Sequence, residues 1–172
     1  MNIFVLDENP AVAAQMMCDK HIPKMLVESA QMMASALRRH GLGDEDLPLT
    51  RRGTPYKGGY THHPCTRWAG DSYENFMWLY QHAEAISSEY IKRFGKRHLT
   101  RRAIREMNET FHKYSFAFNK NGLTPFAQAM PNQYKNTDAV KAYRDYYKAD
   151  KAYFAKWEKG TPAPNWWRGV TA

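Results

Sequence analysis

Apolar residues recur at the spacing of an α-helix in three separate stretches, and this limits the chain to a helical fold. Leu26, Ala30, Met33 and Leu37 form one stripe. Tyr73, Phe76, Met77, Tyr80, Ala83, Ile86 and Tyr90 form a second, and Ile104, Met107 and Phe111 a third. Residues three and four apart share a helix face, so each stripe is a face to be buried. Ile3 to Leu6 is too short to be more than one extended segment. Start and stop signals frame the helices. Asn9-Pro10 opens a short helix to about Cys18, and Pro23 opens one to about His40 that Gly41 ends. Pro64 starts a further turn, and Asp71 with Glu74 resembles a capping box for a helix ending at Gly95. Thr100 caps a basic helix with Arg101, Arg102 and Arg105 outward, and a last helix runs from Asp138 to about Trp157. Between them Leu42 to Thr61 is a long loop holding Gly43, Pro48, Gly53, Pro55, Gly58 and Gly59, which predicts a functional or mobile segment. The pattern predicts an all-α, single compact domain over residues 1–172, of about five helices.

The densest chemistry lies where the second helix begins. Cys18, Asp19, Lys20, His21, Lys24 and Glu28 fall within eleven residues, around Pro23. Helix entries present free N–H groups and the positive end of the dipole, which suit a phosphate. Lys24, Glu28 and Gln31 share one face. His21 and Glu28 then read as a general acid–base pair, with Lys20 and Lys24 holding a phosphate. The bland reading of Lys24 and Glu28 is an ordinary surface pair four residues apart.

The formal charge is +8, from 25 Lys+Arg against 17 Asp+Glu, and aromatics reach 14%. Cations attract phosphates and rings stack on bases, so this balance points to nucleic acid. The last helix mixes rings with cations, and its neighbours Tyr146 and Tyr147 cannot both face inward. Gln133-Tyr134-Lys135, on an irregular stretch, is a polar contact point of the same kind. Cys18, His21, His63 and Cys65 are types that zinc takes, but their spacing is only loosely metal-like, and the expectation is no metal and no cofactor. A cysteine nucleophile has no signature here. Two cysteines do not make a disulfide framework, and no apolar run is long enough to cross a bilayer. The expectation is a cytoplasmic monomer without a membrane partner.

Together these motifs resemble the pyrimidine dimer DNA glycosylase family, the endonuclease V-like enzymes of phages and their short bacterial relatives. The resemblance rests on Ala14-Gln15-x-Met17, Lys20-His21-Ile22-Pro23-Lys24, His62-His63-Pro64, Trp68, Arg93-Phe94-Gly95 and an aromatic–basic C-terminal helix, in that order. It implies an all-α fold, DNA as partner, and an α-amine that attacks the sugar C1′ of a damaged nucleotide with help from a glutamate. Two departures stand out. By motif order His21 falls where that glutamate belongs. The N-terminus is Met1-Asn2, and Asn2 is large enough to leave Met1 in place, whereas the family's amine belongs to a small residue.

The candidate catalytic residues are Met1, His21 and Glu28. The candidate DNA-binding residues are Asn2, Lys20, Lys24, Gln31, Arg51, Arg52, His62, His63, Arg67, Gln133, Tyr134 and Lys135. The first reading is a base-directed enzyme acting on a damaged or modified pyrimidine nucleotide in DNA. The second is a phage transferase that adds a small amine or amino acid to an activated hydroxymethylpyrimidine in DNA, with His21 as base; its setting is the cytoplasm of an infected bacterium. The third is a DNA-binding module without turnover.

Overall fold

Helix α1, Pro10–Met16, begins where a side chain can replace the missing backbone acceptors. Asn9 Oδ1 accepts from the N–H groups of Ala11 (2.9 Å) and Val12 (3.3 Å). Helix α2, His21–Arg39, starts two residues before Pro23. Proline is tolerated there because the third N–H of a helix has no acceptor within the helix. His21 is therefore part of the first turn rather than a residue ahead of it. Gly41, at φ 96°, follows the end of α2 in the left-handed region that glycine alone enters freely.

Helix α3 spans Pro64–Gly70 and α4 spans Tyr73–Phe94. The cap of α4 is Ser72, whose hydroxyl accepts from Asn75 N at 3.0 Å, in place of the Asp71–Glu74 box. Helix α5, Thr100–Lys113, takes Thr100 as its first helical residue rather than as its cap. Helix α6, Ala139–Tyr146, is capped by Asp138 and gives way to a π-helical turn at Tyr147–Lys151, short of Trp157. The structure, a computed structural model, describes residues 1–170. Among them there are six α-helices, no strand, and one isolated bridge between Leu49 and Pro55. The fold is all-α and single-domain.

The three stripes meet as a core. Leu26, Ala30, Met33 and Leu37 of α2 are fully buried against Phe76, Leu79, Ala83 and Ile86 of α4 and Ile104, Met107 and Phe111 of α5. Phe76 and Phe111 stack at 4.1 Å. Helix α4 packs on both α1 and α2, so its inner face organises the bundle. Its last turn carries Arg93, which donates to Met17 O (2.6 Å) and Gln15 O (2.9 Å) and pairs with Asp19 (3.2 Å) and Glu89 (3.6 Å). A buried guanidinium needs such partners, since an unpaired one is strongly destabilising. This cluster fixes the corner from which α2 departs.

The Leu42–Thr61 loop is tied at several points. Leu42, Leu47 and Pro48 are buried, Arg38 donates to Tyr56 O, and Ser35 Oγ bonds both N (2.8 Å) and O (3.0 Å) of Gly59. A Cβ on Gly58 would collide with Ser35 Oγ, so glycine is required where the loop crosses α2. The tip, Arg51 to Thr54, is exposed.

Candidate active site at the N-terminal amine

The first six residues form no regular element, yet Asn2 to Leu6 are buried. Such a segment needs a partner for each backbone polar group. Asn2 Oδ1 accepts from Ile3 N (2.7 Å) and Phe4 N (3.1 Å), and its amide donates to Ala129 O (2.8 Å). This turn holds Phe4 at φ 52°, left-handed for a bulky residue. His82, fully buried in α4, sets its ring nitrogens against Ile3 O (3.2 Å) and Pro10 O (2.8 Å). Arg144 of α6 donates to Leu6 O (2.9 Å). The chain's start is thus a kinked, tied peptide rather than the extended segment its apolar run suggests.

These ties deliver the Met1 amine to Glu28. Met1 N lies 3.1 Å from Glu28 Oε1, with the Met1 side chain 1% exposed. Asn2 N donates to the same oxygen, also at 3.1 Å. Glu28 Oε2 is buried and has no hydrogen-bond partner. One oxygen thus holds the amine while the other is open to a further donor. His63, the cap of α3, accepts from Cys65 N at 3.1 Å. Its pKa is lowered by burial first and then by the charge of the amine. Burial pushes the Cys65 thiol up to about 11, so it is a neutral packing group.

His21 occupies a different niche. Its Nδ1 lies 2.7 Å from the Tyr147 hydroxyl, and its ring stacks on Phe4 at 4.5 Å. Burial, then the charges of Lys151, Lys24 and Lys20, push the imidazole down to about 3. It is a neutral ring inside an aromatic wall. That wall continues from Phe4 to Tyr146 (6.1 Å) and on to Tyr134 (5.6 Å). Tyr146 is half-buried while Tyr147 is fully buried, which divides the adjacent pair between wall and core. Lys151 stands over Tyr146 at 4.8 Å and Phe4 at 5.8 Å, and Lys20 over Phe154 at 4.7 Å. Sequence reading missed Phe4 and Lys151 as site residues and left open which of Tyr146 and Tyr147 faces inward; the signal for Lys151 was the mix of rings and cations on the last helix.

The remaining candidates divide. Lys24 is exposed and Gln31 half-buried on α2, one turn before and about one turn after Glu28. Tyr134 donates to Asp150 at 2.9 Å, between the exposed Gln133 and Lys135. His62 and Arg67 are exposed. Arg51 and Arg52 sit at the loop tip, next to Leu49, whose carbonyl receives the Arg102 guanidinium at 3.4 Å. They belong with the basic start of α5 rather than with the amine. Cys18, His21, His63 and Cys65 do not converge, and no cluster of three or more His, Cys, Asp or Glu residues forms among the described residues. No helix is long and apolar enough to cross a membrane.

The model of one family, described as pyrimidine dimer DNA glycosylase, matches residues 1–103. The chain belongs to that family. No curated protein matches the chain, and neither does any solved structure. The part matched by the glycosylase family contains the Met1 amine, Lys20, Lys24, Glu28 and His63. Ala129, Tyr134, Tyr146, Tyr147 and Lys151 lie beyond it. Motif order sets His21 against the glutamate of this glycosylase family; in space the carboxylate beside the amine is Glu28, two turns further along α2.

Proposed function

We propose that this chain is a DNA glycosylase-like enzyme whose Met1 amine attacks the sugar C1′ of a damaged or modified pyrimidine nucleotide. The observation that carries the reading is the amine held 3.1 Å from Glu28 Oε1. A nucleophilic amine must be free of its extra proton, and Glu28 is placed to accept it. As the N–C1′ bond forms, the bond from C1′ to the base breaks, and the base leaves with the bonding electrons and takes up a proton. Loss of a second proton from nitrogen and opening of the sugar ring then leave an imine between Met1 and C1′. The orphan Glu28 Oε2 is an acceptor for a sugar hydroxyl exposed on opening. Lys20, Lys24 and Lys151 supply the positive rim for flanking phosphates.

The transferase reading needs His21 as a base open to substrate. Its ring is 3% exposed and Nδ1 is taken by Tyr147, which weighs against that role. The deciding experiment is borohydride trapping on irradiated duplex DNA and on a duplex with an abasic site, read by mass spectrometry. The expected result is a covalent adduct on the N-terminal peptide. Glu28→Gln is expected to lower trapping at least a hundredfold while DNA affinity changes less than threefold. An adduct elsewhere, or none with either DNA, overturns the proposal.

A further inference from the structure

Two residues other than glycine have positive φ among the described residues: Phe4 and Tyr60. The fold accounts for Phe4, whose turn is tied by Asn2 and whose ring is packed among His21, Tyr143, Tyr146 and Tyr147. It does not account for Tyr60. That residue sits at φ 51° with 67% of its surface exposed. Among the described residues its ring makes no aromatic or cation–π pair and its hydroxyl no hydrogen bond. A bulky side chain is thus held in a backbone conformation that glycine takes freely, and the ring contributes nothing to packing.

The backbone beneath the ring is rigid. Ser35 clasps Gly59 from both sides on one flank. On the other, His63 N donates to Tyr60 O at 2.9 Å. His63 is the residue whose imidazole feels the Met1 amine and Glu28. The peptide that displays Tyr60 is tied to α2 at Ser35, two turns beyond Glu28, and the ring stands on a fixed base. A preorganised, solvent-facing phenol loses little freedom on stacking, and every nucleobase offers it a π-face.

We infer that Tyr60 is a stacking residue that covers an unpaired nucleobase of bound DNA beside the reacting nucleotide. The inference rests on the proposed action on DNA. Stacking of this kind is expected to be worth roughly a tenfold change in affinity.

The test uses the whole protein and a duplex in which 2-aminopurine faces a tetrahydrofuran abasic site. Binding by the wild-type protein should change the 2-aminopurine fluorescence, as stacking does. Tyr60→Phe should keep that change and the affinity. Tyr60→Gly should lose the fluorescence change and bind this duplex about tenfold more weakly, with a melting temperature at or above that of the wild type, because glycine relieves the φ. Unchanged affinity and fluorescence in Tyr60→Gly overturn the inference while leaving the DNA reading intact. So does a lowered melting temperature in Tyr60→Gly beside an unchanged one in Tyr60→Phe, which makes the ring a packing residue. Failure of the wild-type protein to bind any duplex overturns both.

Discussion

His21 shows how one ring can be read correctly for chemistry and still belong elsewhere in space. Histidine beside lysines at a helix entry is the pattern of an acid–base group, but the same position lies under Phe4 and against Tyr147. Its proton affinity becomes a statement about stability. Burial and then Lys151, Lys24 and Lys20 push the folded-state value down to about 3, against 6.5 for a free imidazole. Between those two values the unfolded chain binds a proton that the folded chain refuses. Stability is therefore level above about pH 6.5 and falls as pH drops below it, by up to about 1.4 kcal/mol per pH unit for one such ring. His82, pushed down to about 4 chiefly by burial, acts with the same sign. Urea midpoints measured from pH 7.5 to pH 5.0 should decline steadily, and His21→Gln should flatten part of the decline. A level profile in the wild-type protein would contradict this account of the ring.

Helix α6 and the π turn after it bring cations to the site that helix α2 alone cannot supply. An extra residue in a turn re-aims the side chains that follow, and π turns are common at functional sites. Here the turn ends on Lys151, set above Phe4 and Tyr146 and close enough to His21 to outrank Lys24 and Lys20 in its effect. The three lysines should behave as a group. Lys20→Ala, Lys24→Ala and Lys151→Ala are each expected to weaken duplex binding and to reduce the slope of log affinity against log salt by about one. Titration at several salt concentrations reads both; an unaltered slope removes that lysine from the DNA surface. The contrast between elements also explains what the sequence could show. Helices α2, α4 and α5 were legible because a single-faced apolar stripe needs only local spacing. The cap at Ser72 and the π turn were not, since the Asp71 carboxylate is taken by Arg39 and Tyr147 is held by Cys18 and His21, all far away in the chain. Within the site, the cations of α2 and Glu28 were legible from their shared face. The meeting of Glu28 with Met1 was not, because it depends on Asn2 reaching Ala129, 127 residues away.

Across the whole molecule, the active-site candidate is assembled from both ends of the chain. Arg144 binds Leu6 O, Tyr147 binds Cys18 N and His21, and Ala129 binds Asn2. Residues 1–103, which carry the family's match, therefore hold the reactive groups without the partners that fix them. A chain truncated after residue 103 is expected to lose cooperative thermal unfolding, since Ile3, Phe4 and Cys18 would lose the cover of Tyr143 and Tyr147; calorimetry of the truncated and full chains checks this. A sharp transition in the short chain would show that the later residues are dispensable for folding. The same long-range ties bear on biosynthesis. In the order of synthesis Met1 precedes the π turn that completes its surroundings by some 150 residues. At ordinary elongation rates of about 5–20 residues per second, that is a delay of roughly ten to thirty seconds. Throughout that interval Met1 and Asn2 lack the partners that the last third of the chain supplies. Because Asn2 N shares the oxygen that holds Met1 N, a chain trimmed by one residue in that window would still present an amine to Glu28. A chain acylated in the same window would present an amide, which under the proposed mechanism has no lone pair to offer C1′.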